Sequence, residues 1–212
     1  MQLIGMLDSP YVRRVAISLQ LLELDFAHRP VSVFGDFDEF RAINPVVKAP
    51  SLVCDDGTVL MDSSLILQYA ESVAQARGHR SLLPASVAGR AADLRMTGLA
   101  LAACEKSVQI IYERGLRPPE KQHEPWVERV SGQLLAAFAA LEIELTRRPL
   151  AASAAHMTQA GVTTAVSWHF TQALLPQIVP AARFAALAAF SATAETLAPF
   201  IAAAHGQGCC IP

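Results

Sequence analysis

The junction at Asp8-Ser9-Pro10 constrains this chain more than any other stretch. A short apolar run, Leu3-Ile4-Gly5-Met6-Leu7, ends there, and an amphipathic pattern starts at once with Val12, Val15, Ala16, Leu19 and Leu22. That recurrence gives one apolar stripe able to pack on a sheet. Ser9 reads as an N-cap and Pro10 as the first helical residue, where a missing N–H costs nothing. The spacing predicts a strand running into a helix, with a serine hydroxyl at the helix's positive end. Open α/β sheets tend to place ligands at such strand ends. Val12 occupies the third helical position, where a capping box would put Glu or Gln. Arg13 and Arg14 sit in the first turn, each unfavourable against the helix dipole by roughly 0.3–1 kcal/mol. An end left this positive suits an external anion; an ordinary junction with both arginines in solvent is the alternative.

The helix should fade near Leu24-Asp25, with a second strand around His28–Val33. Phe37–Ile43 reads as a short helix stopped by Asn44-Pro45. Ala49–Cys54 and Val59–Met61 read as strands joined by the turn Asp55-Asp56-Gly57-Thr58, and Asp62-Ser63-Ser64 caps a helix from Leu65 to Arg77. The order βαβ, short helix, hairpin, helix makes a compact α/β domain over residues 1–78. Residues 79–86 read as a linker, and 87–212 as an all-helical domain. Helices are expected over Ala88–Glu113, Pro125–Arg148, Val162–Leu175 (almost wholly apolar, hence buried), Ala181–Phe190 and Ser191–Ala204, with a break near Pro199.

Hydrophobic residues make up 52% and charged ones 17%, which supplies a large core for a helical protein. A net charge of −2 points away from nucleic acid and anionic membrane, and no run is long enough to span a bilayer. No signal peptide is legible at the N-terminus, and Cys54, Cys104, Cys209 and Cys210 lack zinc-like or framework spacing. The expectation is a cytoplasmic protein with reduced thiols and no metal.

Two further features bear on chemistry. Pro50 opens a strand, where proline removes a ladder donor; a cis Ala49–Pro50 bond would turn a backbone amide and carbonyl outward to pair with an extended peptide. The helix after Asp62-Ser63 has Leu65 and Ile66 where a capping box would place a carboxylate. Its amides and the Ser63 hydroxyl could take a carboxylate, and Asp62 an ammonium group; plain capping explains the same residues.

Ser9-Pro10-Tyr11-Val12-Arg13-Arg14, Asn44-Pro45-Val46-Val47-Lys48-Ala49-Pro50-Ser51-Leu52 and Asp62-Ser63-Ser64-Leu65-Ile66 together resemble the three signature stretches of cytosolic glutathione transferases, in the same order and at similar spacing. The likeness is to serine-type, bacterial-like members. It implies a thioredoxin-like N-terminal domain that binds glutathione, and an all-α C-terminal bundle that contributes the electrophile pocket. The resemblance assigns Ser9 to the glutathione sulfur as a thiolate-stabilising donor and Ala49, before a cis Pro50, to backbone pairing with the cysteinyl part. It assigns Lys48 to the glycyl carboxylate, and Asp62 and Ser63 to the γ-glutamyl end. Glutathione is then a co-substrate, the second partner a hydrophobic electrophile, and homodimerisation is implied, with Ala88–Glu113 a plausible interface. The alternatives are a glutathione-binding protein without turnover, or a glutathione-dependent disulfide or peroxide reductase. Tyr112 and Cys104 are expected in the core or at a dimer contact, and Trp168 and His169 in the core. The family often starts its buried helix with Ser/Thr-x-x-Asp; here Thr163 is followed by Val166, so Thr163 or Thr164 alone is expected to cap it.

Overall fold

A computed structural model describes residues 1–206; Cys209 and Cys210 lie outside the described residues. It forms two compact units, Met1–Leu83 with 154–156 and the segment from Thr196, and Pro84–Ser153 with Met157–Glu195.

The first unit is built on a four-stranded mixed sheet. Strands β1 (Gln2–Ile4), β2 (Ala27–Arg29), β3 (Ser51–Val53) and β4 (Val59–Met61) lie in the order β2-β1-β3-β4. β1 runs parallel to β2, with Leu3 opposite His28, and antiparallel to β3, with Leu3 opposite Leu52. Helix α1 (Pro10–Leu21) is the crossover from β1 to β2. Successive residues of a strand face opposite sides of the sheet. Ile4 packs with Val31 and with Phe40 of α2 (Phe37–Ile43). Leu3 and Leu52, fully buried, face the other side, where α1 and α3 (Ser63–Ala76) pack on each other. The arrangement is thioredoxin-like. β2 stops at Arg29, short of the expected Val33, because Pro30 has no N–H to continue the ladder.

The segment expected to link the domains is tied to the first unit by side chains. His79 Nδ1 lies 2.9 Å from the Leu22 carbonyl, and the Glu71 carboxylate accepts from the Ser81 hydroxyl and the Leu82 amide at 2.7 and 3.0 Å. The last described helix, α8 (Ala198–Ala202), also belongs to this unit and packs on α1. The break expected near Pro199 falls at residues 195–197, between the last helix of the second unit and α8, and Pro199 itself sits in the first turn of α8, where proline is tolerated.

The second unit is helical: α4 (Val87–Leu116), α5 (Glu124–Arg147), α6 (Gln159–Leu174) and α7 (Ala185–Ala194), with 3₁₀ turns at Pro119–Lys121 and Ala181–Arg183. Trp168 is core, packed edge-on to Phe138 and Phe184 at 5.3 and 5.7 Å between centroids. His169 lies nearer the surface, 3.4 Å from Glu195. Helix α6 corrects the capping expectation. It begins three residues before Val162, Thr158 caps it by accepting from the Gly161 amide at 3.4 Å, and the distant Asp93 carboxylate on α4 takes the Ala160 amide at 3.3 Å. Thr163 instead donates back to the Gln159 carbonyl, and the buried Thr164 hydroxyl has no hydrogen-bond partner. α7 is started the same way, Glu142 of α5 accepting from the Ala186 and Leu187 amides at 2.8 and 2.9 Å.

These assignments separate two threonines on one helix. Thr158→Ala removes the cap and should cost about 1 kcal/mol of unfolding free energy. Thr164→Val replaces an unsatisfied buried hydroxyl with an isosteric methyl and should be neutral or stabilising by up to about 1 kcal/mol. Urea titrations of the two variants check this; equal losses would contradict it.

Candidate functional site

Ser9 is the N-cap of α1, in extended conformation, and its hydroxyl oxygen accepts from the Val12 amide at 3.4 Å. Capping uses an acceptor lone pair, so the single O–H remains able to donate to an anion. Ser9 is half-buried and Pro10 occupies the first helical position. No acid lies in the first turn.

The two arginines that follow do not splay into solvent. Both are buried, Arg13 at 1% and Arg14 at 3% exposure. Arg14 crosses to α3 and donates through one terminal nitrogen to the hydroxyls of Ser63 and Ser64 at 3.1 and 3.3 Å. Arg13 turns the other way, onto main-chain carbonyls of α8. A buried guanidinium is costly unless hydrogen-bonded, so these contacts fix both side chains. The sequence pattern signals the charge but not its destination, because the partners lie 49 and 190 residues away.

At α3, Asp62 is the N-cap, with φ of 69°, and its carboxylate accepts from the Ser64 amide at 2.9 Å. One amide of this helix end is therefore satisfied from within, as the plain-capping reading holds. Ser63 is buried and faces Arg14, so the α3 end carries a guanidinium beside its hydroxyls, which favours a carboxylate.

The third stretch enters β3. The Ala49–Pro50 bond is cis; Lys48 is exposed, Ala49 half-buried and Pro50 buried. The loop is braced by two residues of its own signature stretch to which the sequence assigned no side-chain role. Buried Asn44 takes the Val46 amide at 3.0 Å and donates to the Ser51 hydroxyl at 2.8 Å, which in turn donates to the Lys48 carbonyl at 2.8 Å. Val47 adopts φ of 52° within the turn.

Gly5 ties this loop to the Ser9 loop. Its φ is 134°, and a Cβ there would stand 2.7 Å from Val12 Cγ2 and 3.1 Å from the Ala49 Cβ. Only glycine allows so close an approach. Behind it, His28 Nε2 donates to the Gly5 carbonyl at 2.7 Å, and burial lowers the imidazole's titration, partly opposed by that hydrogen bond. The starts of α1 and α3 and the cis-proline loop are thus tied together, through Arg14 and Gly5, at the end of the sheet where β1 leaves and β3 enters.

Residues 3–78 match the family model for the glutathione S-transferase N-terminal domain. A solved glutathione S-transferase of Methylobacterium radiotolerans, in complex with glutathione sulfonate, superimposes with a TM-score of 0.84 at 25% identity, covering 94% of this chain and 92% of that one. The chain carries a glutathione S-transferase N-terminal domain, and over nearly its whole length it has the fold of this solved transferase. A family member from Pseudomonas fluorescens with bound glutathione gives a TM-score of 0.78 at 27% identity, over 95% and 97% of the two chains. Maleylacetoacetate isomerase of Pseudomonas aeruginosa is 38% identical over 63 residues, a match spanning 27% of this chain and 30% of that protein.

Within this transferase fold, Cys104 is buried on α4 and Tyr112 is 44% exposed, both in the helical unit. No group of three or more metal-ligating side chains occurs among the described residues, and no described helix is long and apolar enough to cross a membrane.

Two measurements check the loop. Gly5→Ala should cost about 1–3 kcal/mol from the positive φ alone and displace Ala49, seen as a fall in melting temperature together with lost retention on immobilised glutathione. The His28 prediction follows from its lowered titration. The unfolded chain takes up a proton near pH 6.5 that the folded chain resists, so this part of the stability is present above pH 6.5 and lost as pH falls through the folded value. His28→Gln should flatten the drop in urea midpoint between pH 7.5 and 5.5; an unchanged slope would refute the assignment.

Proposed function

We propose that this protein binds glutathione at the convergence of the Ser9, Ala49-Pro50 and Asp62-Ser63 stretches and transfers it, as thiolate, to an apolar electrophile. The observation that carries the reading is the Arg14 bridge, which joins the amino-terminal parts of α1 and α3 around a cationic centre. A tripeptide with a central thiol and carboxylates at both ends suits that layout. Its γ-glutamyl carboxylate goes to Ser63 with Arg14 behind it, its ammonium to Asp62 and its glycyl carboxylate to Lys48. The cysteinyl backbone goes to Ala49 before the cis Pro50.

Ser9 acts as a donor. A free thiol titrates near 8.5, and lowering that by about two units needs roughly 2.7 kcal/mol of preference for the anion. A charge-assisted hydrogen bond from the Ser9 hydroxyl, about 1.5–3 kcal/mol, with up to about 1 kcal/mol from the helix end, covers it. The sulfur lone pair then forms the S–C bond while the leaving group departs with its bonding electrons, or, for an unsaturated carbonyl, while the electrons move to oxygen and carbon takes up a proton.

The partial likeness to maleylacetoacetate isomerase favours a second reading of the same site. Addition of the thiolate to a conjugated double bond, rotation and expulsion of the sulfur would isomerise the substrate and return glutathione unchanged. We further propose that the protein acts as a homodimer in the cytoplasm.

Ser9→Ala is expected to lower conjugation of halogenated aromatics, epoxides or unsaturated carbonyls by more than a hundredfold while glutathione affinity changes less than about threefold. Full activity in that variant would remove Ser9 from the mechanism. An unmutated protein that turns over no electrophile in such a panel would leave glutathione binding without transfer. Glutathione consumed per product formed separates transfer from isomerisation.

A further inference from the structure

Arg13 is among the largest fully buried side chains of the protein. Its Nε donates to the Ala203 carbonyl at 2.8 Å and a terminal nitrogen to the Phe200 carbonyl at 3.4 Å, with the guanidinium 5.8 Å from the Phe200 ring centroid. Phe200 and Ala203 are themselves fully buried. Two turns further along α1, Gln20 donates to the carbonyl of Pro199, at the start of α8, at 3.3 Å. α8 therefore runs antiparallel to α1 and brings its carboxyl end level with Arg13. That level is one helical turn, about 6 Å of rise, from Ser9. Carbonyls at a helix's carboxyl end carry partial negative charge. Bare, they would oppose an anion at the adjoining amino end of α1.

We infer that Arg13 is a positioning residue for the Ser9 end: its fork onto the Phe200 and Ala203 carbonyls covers the negative end of α8 and fixes a buried cation one turn behind Ser9, so that the sulfur of bound glutathione is held as its anion by Arg13 as well as by the hydroxyl. The inference rests on the reading of Ser9 as the thiol site. Burial keeps the guanidinium's field from being screened as a surface charge would be. Lysine cannot replace the fork, because its ammonium is a single point on a flexible stem. Asp8, Tyr11 and Arg14 are the charged or titratable side chains next to Ser9 and Arg13 in the chain, and His205 follows the Ala203 acceptor by two residues; the variants leave all four in place.

The test is titration of the thiol of protein-bound glutathione, followed by ultraviolet absorbance of the thiolate, in the unmutated protein and in Arg13→Gln, Arg13→Lys and Ser9→Ala. Glutathione affinity is measured in parallel at pH 5.5, where the thiol is protonated. Arg13→Gln is expected to raise the midpoint by about one unit, tenfold less thiolate at a given pH below it, with affinity changed less than about threefold. Arg13→Lys should rise by about a third of that. An unchanged midpoint in Arg13→Gln overturns the inference, as does a loss of affinity beyond tenfold with no shift. Should Arg13→Gln fail to fold, an unchanged midpoint in Arg13→Lys overturns it. If Ser9→Ala leaves both midpoint and turnover unaltered, the reading of Ser9 fails first. A shift in Ser9→Ala with none at position 13 removes only the role of Arg13.

Discussion

The site depends on one buried contact, the guanidinium of Arg14 between the hydroxyls of Ser63 and Ser64. It joins two helix starts that the sheet alone would leave as neighbours without a bond. Placing a cation just past the first turn of α1 works weakly against the helix dipole, and burying it adds a desolvation penalty. The hydrogen bonds to α3 offset part of both, and an incoming carboxylate can offset more. The unfavourable local choice at position 14 is thus answered across the fold, by a helix start 49 residues away.

The rest of the platform is stiff for ordinary reasons. β1 and β3 pair so that Ile4 lies opposite Ser51, which sets the exits of both strands side by side. The Gly5 loop leaves one exit and the Ala49-Pro50 loop enters by the other. Asn44 and Ser51 hold the second loop from beneath, and the missing Gly5 side chain lets the first lie against it. Neither loop depends on a long flexible side chain, so a peptide pairing with Ala49 would lose little to loop ordering.

What could be read in the sequence was local. The cap at Ser9, the stop at Asn44-Pro45, the hairpin at Asp55–Thr58 and the order of elements follow from propensity and turn chemistry within a few residues. The destinations of Arg13 and Arg14 could not, since their acceptors are set by how α3 and α8 fold back onto α1. The start of α6 failed for the same reason. Its caps are Thr158, before the apolar run begins, and Asp93, 67 residues upstream, whereas the pattern drew attention to Thr163 and Thr164 inside the helix. His28 read as a strand residue; its role as a strut under Gly5 comes only from the parallel register of β1 and β2. The brace of Asn44 and Ser51 falls between these cases, because Asn44 carried a stop signal while its side chain works seven residues ahead, on the Ser51 hydroxyl.

The placement of α8 has a consequence for the order of assembly. The first unit is drawn from both sides of the helical unit in sequence, from residues 1–83 and again from Thr196 onward. A chain emerging amino end first can build the sheet, α1 and α3, and join Arg14 to Ser63, while α8 is still unmade. Arg13 must wait for carbonyls 187 and 190 residues away. The last piece of the Ser9 end is thus supplied only after the intervening helices have emerged. A chain cut short before Phe200 would keep every residue of the three signature stretches and still lack the acceptors that settle its buried cation.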